Sequence, residues 1–166
     1  MPIRIAFVGK IGTGKTTLAE YLNHQYGCKK LSFADAVKDM ATRYFGMTTK
    51  SRELLQILGT DVCRKIDPDV WVRLLMTKID YGPYLHIVID DCRFHNEAKA
   101  LKVRNFTLIR LVGKHKETTP EQEQHLSETE QDKIIVDYTL DTTKPLEETY
   151  RELDEIVKRR WNVIGD

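Results

Sequence analysis

The run Gly9-Lys10-Ile11-Gly12-Thr13-Gly14-Lys15-Thr16, followed by Thr17, has the spacing G-x-x-x-x-G-K-[ST]. Residues of these types at this spacing suit the capture of a polyphosphate. The glycines let the backbone curl until several N–H groups point inward, and a following helix adds the positive end of its dipole. Lys15 then reaches the β- and γ-phosphates, and the Thr16 hydroxyl helps to hold Mg²⁺. Gly9 to Thr17 is therefore the candidate ATP-binding segment, with Lys15 its catalytic cation.

Other residues could complete such a site. The apolar run Leu85 to Ile89 ends in Asp90-Asp91, and a carboxylate at that place can hold magnesium through water beside a phosphate cradle. Asp90 and Asp91 thus join Thr16 as metal candidates. Asp35 has two readings of equal weight. It is either a helix-start residue favoured by the macrodipole, or a carboxylate that orients or deprotonates an acceptor hydroxyl. Lys38, Arg52, Arg64 and Arg73 are either solvated or gather an anionic acceptor, for which Arg offers a two-pronged fork. His24, His86, His95, His115 and His125 lack the pairwise spacing of metal ligands. Ser127-x-x-Glu130 reads as a capping box.

The elements that must position these residues follow from periodicity. Ile3 to Val8 is a near-continuous apolar run, the mark of a strand buried on both faces. A helix follows from about Lys15 to Tyr26, with Leu18, Tyr21 and Leu22 on one face and Gly27 as its stop. A short strand over Lys30 to Phe33 precedes a helix carrying Val37, Met40, Ala41 and Tyr44, ended by Gly46. Leu54 to Val62 suggests a further helix, and Asp67-Pro68 a cap opening one that reaches about Ile79. Leu85 to Ile89, Phe106 to Val112 and Ile134 to Leu140 read as strands, and Phe94 to Lys102 as a helix. Leu146, Tyr150, Leu153, Ile156, Val157 and Trp161 mark a terminal amphipathic helix. Gly113 to Asp132 is short of apolar anchors and is expected to be a mobile, lid-like segment. Strands alternating with helices argue for an α/β fold with a mainly parallel sheet.

Composition sets the outer limits. The 166 residues suit one domain, with 41% hydrophobic and 31% charged side chains. With 26 basic against 25 acidic residues the net charge is +1, which excludes attachment to nucleic acid or membrane by bulk charge alone. Cys28, Cys63 and Cys92 are odd in number and widely spaced, and read as buried thiols of a reducing compartment. No apolar run approaches the ~18 residues of a membrane span, so the expectation is a cytoplasmic protein.

Longer segments carry a resemblance. Leu31-Ser32-Phe33-Ala34-Asp35-Ala36-Val37-Lys38, Arg52 to Asp61, Asp67-Pro68-Asp69-Val70-Trp71-Val72, Asp90 to Ala98 and His125-Leu126-Ser127-Glu128 are similar, in order, to bacteriophage deoxynucleoside monophosphate kinases. The resemblance spans nearly the whole chain. It implies a nucleoside monophosphate kinase-like P-loop fold of about five strands, a single kinase domain over residues 1–166, and ATP–Mg²⁺ bound by Lys15 and Thr16. It also implies an acceptor side formed by the pieces holding Asp35, Lys38, Arg52, Gln56, Arg64, Trp71 and Arg93, with Arg93 a catalytic candidate. The setting implied is the cytoplasm of a phage-infected cell, and a homodimer is left open.

Two features depart from that family. An insertion common after the second helix is absent here, and Gly113 to Gln124 offers only Lys114 and Lys116 where an arginine-rich lid is usual. Both thin the walls around a small acceptor and leave room for a bulkier one. The leading expectation is transfer of the γ-phosphoryl group of ATP to a deoxynucleoside monophosphate. The alternative is phosphorylation of 5-hydroxymethyluracil within DNA, with Lys38, Arg43, Lys50, Arg52, Arg64 and Lys65 as a backbone track. A switch-like nucleotide-binding module would lack the arginines of the acceptor side.

Overall fold

A computed structural model describes residues 1–113 and 129–161. The apolar runs become β1 (Arg4–Val8), β2 (Lys29–Leu31), β3 (Ile87–Ile89), β4 (Thr107–Val112) and β5 (Tyr138–Asp141), in one sheet ordered β2-β3-β1-β4-β5. β1 runs parallel to β3 and β4, and β4 parallel to β5. Parallel neighbours require long crossovers, which helices supply. These helices are α1 (Lys15–Tyr26), α2 (Ala34–Phe45), α3 (Arg52–Gln56), α4 (Cys63–Ile66), α5 (Val70–Tyr81), α6 (His95–Val103) and α7 (Leu146–Trp161). The expected five-stranded parallel sheet flanked by helices is the architecture found.

The chain divides into two compact units. The larger, Met1–Lys30 with Tyr84–Asp166, holds nearly all of the sheet. Side chains alternate along a strand, so Ile3, Ile5 and Phe7 share one face, where they pack with Leu18 and Leu22 of α1 and Leu153 and Val157 of α7. Ala6 and Val8 point the other way and are equally buried, with α6 packed against β4. Burial on both faces explains why β1 reads as an unbroken apolar run. The smaller unit, Leu31–Pro83, is helical around its own core of Val37, Ala41, Leu58 and Trp71.

Several boundaries differ from the sequence expectation. β3 begins at Ile87, because Leu85 is exposed and the Nδ1 of His86 accepts the Ile3 N–H at 2.8 Å. β5 begins only at Tyr138, since Gln131–Lys133 forms a 3₁₀ turn held by the Arg110 guanidinium, which donates to the carbonyls of Gln131 (3.1 Å) and Ile134 (2.6 Å). That turn is the far end of the expected lid, and Gln131 there is buried; residues 114–128, with His115, His125 and Ser127, lie outside the described residues. α5 starts at Val70 because the Asp67 carboxylate first takes the Asp69 N–H at 3.0 Å. The expected helix over Leu54 to Val62 is broken by a π-helical turn at Ile57–Val62. Cys28 and Cys92 are buried and Cys63 is partly exposed; all three are free thiols. Among the described residues no helix is long and apolar enough to cross a membrane.

Candidate active site

The cradle forms where β1 ends. Gly12 (φ 82°) and Gly14 (φ 93°) adopt left-handed backbone, which a side chain would strain. Gly9 is required for a different reason: a Cβ there would stand 2.8 Å from the Leu111 carbonyl oxygen and 2.9 Å from Thr13 Oγ1. Neighbouring strand and loop therefore press on the turn from both sides. Thr13 is buried, donating its hydroxyl to the Lys10 carbonyl at 2.8 Å, while Lys10, Thr16 and Thr17 lie at the surface. Gly14 precedes α1, which has neither a side-chain cap nor an acidic residue in its first turn. The positive end of that helix is thus left for a bound anion. Lys15 is buried, its ammonium group donating to the carbonyls of Gly9 and, at 2.7 Å, Lys10.

Topology brings a carboxylate to this turn. β1 pairs with β3 in the register Ala6↔Ile89, so the residue after β3 arrives level with the end of β1. That residue is Asp90, whose Oδ2 accepts from Thr16 Oγ1 at 3.4 Å. Of the two acids expected to serve a metal, Asp90 is the one joined to Thr16. Hydroxyl and carboxylate are hard oxygen donors, and two such groups suit Mg²⁺, which takes few protein ligands and fills its shell with water and phosphate oxygens. The residues present fit that cation. Among the described residues no cluster of three or more His, Cys, Asp or Glu offers a self-contained metal cage.

Three residues of this corner were missed by sequence reading. Lys30, on β2 beside β3, places its Nζ 3.0 Å from Asp90 Oδ2. Thr142, just past β5, donates its hydroxyl to the Thr13 carbonyl at 2.9 Å and so props the cradle from behind. Glu97 is only 1% exposed, and its Oε2 accepts the N–H groups of Arg93 (2.8 Å) and Phe94 (3.1 Å). This carboxylate fixes the backbone that carries Arg93. A Glu three residues into a helix is a recognisable capping signal; the contacts of Lys30 and Thr142 depend on strand order and leave no local trace.

The remaining expected residues belong to the smaller unit. Asp35 accepts the Ser32 N–H at 3.2 Å and lies 3.8 Å from Lys78 Nζ, the contacts of a helix-start carboxylate. Lys38 is exposed on α2, and Arg43 is paired with Asp39 at 2.7 Å. Arg73 grips both oxygens of Asp67 and holds its carboxyl below the usual range. Trp71 is 2% exposed in the core, and its indole N–H donates to the Gly59 carbonyl at 2.8 Å. It shapes this unit from within rather than lining a surface. Arg52, Gln56 and Arg64 are half-buried. Twelve residues of ideal α-helix would turn Arg64 about 120° away from Arg52. The π turn adds a residue to one turn and brings Arg64 back to the side of Arg52 and Gln56.

Comparison with known proteins agrees with this geometry. The AAA_18 family, described as an AAA domain, matches residues 5–119. A protein of Acanthamoeba polyphaga mimivirus described as "Putative deoxynucleotide monophosphate kinase" is 30% identical, over 91% of this chain and 94% of its own length. "Uncharacterized protein ORF77" of Ictalurid herpesvirus 1 (strain Auburn) is 29% identical over 75% of this chain and 57% of its own. Solved structures share the fold at low identity. Shikimate kinase from Aquifex aeolicus vf5 superposes with a TM-score of 0.57 at 15% identity, covering 98% of this chain and all (100%) of that one. A gluconokinase from Sinorhizobium meliloti 1021 gives 0.56 at 13%, covering 99% and 98%. A buried lysine inside a glycine cradle, a strand-end aspartate on the threonine that follows it, and a matching family over more than half of the sequence lead to one assignment: the chain belongs to the AAA_18 family of P-loop kinases.

Proposed function

We propose that the chain transfers the γ-phosphoryl group of ATP to a deoxynucleoside 5′-monophosphate, yielding the diphosphate. The observation that carries the acceptor half is the likeness to the mimivirus protein along 91% of the chain. The cradle supports the donor half. Thr16 and Asp90 would hold Mg²⁺, whose chemistry is to neutralise phosphate charge. Lys15, already buried in the loop, can exchange its hold on the Gly9 and Lys10 carbonyls for phosphate oxygens. Arg93, with its backbone fixed by Glu97, and Arg52, Gln56 and Arg64 bind and orient the anionic acceptor. A monophosphate is largely dianionic near neutral pH, its second ionisation lying around 6, so no strong base is needed. Positioning and charge neutralisation then carry the reaction.

Asp35 is accordingly a structural carboxylate in this reading. Asp35→Asn is expected to lower turnover on a deoxynucleoside monophosphate by less than about tenfold, whereas loss of a general base costs ~10²–10⁴-fold. The test offers labelled ATP in parallel to the deoxynucleoside monophosphates and to DNA containing 5-hydroxymethyluracil. Labelled diphosphate from the first set is the expected product. Label entering only the DNA, with turnover collapsing in Asp35→Asn, would replace this proposal by the DNA kinase.

A further inference from the structure

One oxygen of the metal corner serves two masters. Asp90 Oδ2 accepts from the Thr16 hydroxyl at 3.4 Å and stands 3.0 Å from the Lys30 ammonium group. The Asp90 side chain is 11% exposed, whereas that of Lys30 is 36% exposed. A nearly buried carboxylate is thus neutralised by a cation at the end of a long stem that is open to water. We propose that Lys30 is the resident counter-ion of Asp90 and holds this corner against a free divalent cation, so that the cation enters with the nucleotide phosphates and not before them. The inference builds on the P-loop reading of Thr16 and Asp90 and needs nothing from the acceptor side.

The physical case is one of competing charges. Two protein oxygens are a poor match for Mg²⁺, which loses its water reluctantly. An ammonium group on the same carboxylate oxygen adds like-charge repulsion, doubled because the ion is divalent. A triphosphate reverses the balance, since its several negative charges attract both the metal and the lysine. The flexible stem of Lys30 then lets its ammonium group leave Asp90 without disturbing β2. The strand order makes the arrangement possible: β2 lies next to β3, so Lys30 approaches Asp90 from the side away from β1, while Thr16 approaches from the cradle that follows β1.

The test is direct binding of Mn²⁺, as a spectroscopic substitute for Mg²⁺, to nucleotide-free protein, with the free ion followed by electron paramagnetic resonance. Lys30→Met is expected to bind Mn²⁺ about tenfold more tightly than the wild type or better, given a repulsion of this size at a partly exposed site. Lys30→Arg keeps the charge and should bind as weakly as the wild type. In Lys30→Met/Asp90→Asn the gain should vanish, which ties it to this carboxylate. Lys30→Gln repeats the measurement if the methionine variant does not fold. Equal binding by wild type and the neutral variants would overturn the proposal, and so would an arginine variant that binds as tightly as the methionine one. None of these titrations uses phosphoryl transfer, so a failure here is distinct from a failure of the proposed activity.

Discussion

The Lys15 ammonium group lies inside the loop that it serves, donating to two carbonyls of that loop. It therefore has a structural task without nucleotide and a catalytic one with it, and a single substitution separates the two. Lys15→Met should destabilise the fold by only about 2 kcal/mol, the scale of charge-assisted bonds exchanged for an apolar stem. Transfer should fall by ~10²–10³-fold or more, by analogy with loss of one preorganised donor to a developing charge. Urea denaturation reads the first quantity and ADP release at saturating ATP the second. Near-normal turnover in the variant would remove the cradle from the mechanism. Gly9 illustrates the same economy of space, because the Leu111 carbonyl and the Thr13 hydroxyl leave no room for a methyl group.

Among the helices, α6 carries the clearest dependence on one side chain. Its Glu97 takes two backbone N–H groups at the helix start while almost wholly buried. Glu97→Ala leaves both donors without that partner in a dry environment, at a cost of about 2–3 kcal/mol. Because one of those donors belongs to Arg93, the variant should also raise the KM for the acceptor while leaving ATP binding close to normal. Denaturation together with separate titrations of the two substrates checks this, and equal weakening of both would show that α6 acts only on stability. The smaller unit relies on phase instead. Arg64 shares a side with Arg52 and Gln56 because of the π turn at Ile57–Val62, and Gly59 within that turn anchors the Trp71 indole through its carbonyl.

For the molecule as a whole, α7 is fastened to α1 by a clasp of ionisable groups. Asp154 accepts the hydroxyls of Tyr21 (2.7 Å) and Tyr26 (2.8 Å), and Tyr21 stacks on Tyr150 with ring centroids 3.9 Å apart. Burial, then the Asp154 carboxylate, pushes the Tyr21 hydroxyl up to about 12 from its ordinary 10.0, and Tyr26 shifts in the same direction for the same causes. Folding thus favours the neutral phenols. Their stabilisation is complete below pH ~10, where the unfolded tyrosines are also neutral, and is lost as pH climbs through the folded values. Thermal stability should accordingly change little on account of these groups from pH 7 to 9 and drop above about 10. Asp154→Asn removes one of the two causes and should soften that drop, as calorimetry across this range can measure. A variant with an unchanged alkaline limb would mean that the clasp does not govern it. The thiol of Cys28, pushed up to about 12 by burial, stays protonated through the same neutral range.

How much of this could be read without a structure depends on how local each cause is. The cradle from Gly9 to Thr17, helix α1 with both its ends, and the terminal helix follow from neighbours within a few positions. Glycine backbone freedom, helical period and capping all act over such spans. The sheet was legible as a set of buried strands for the same reason. Its order was not, and the order decides the chemistry at the metal corner. Only the β1–β3 register brings Asp90 to Thr16, and only the edge position of β2 brings Lys30 to Asp90. The helix expected over Leu54 to Val62 failed for a related reason: the indole of Trp71, twelve positions away, bonds the Gly59 carbonyl inside the widened turn. Local patterns chose the catalytic loop, while hydrogen bonds between distant strands and helices chose its partners, because such bonds join residues whose separation along the chain carries no periodic signal.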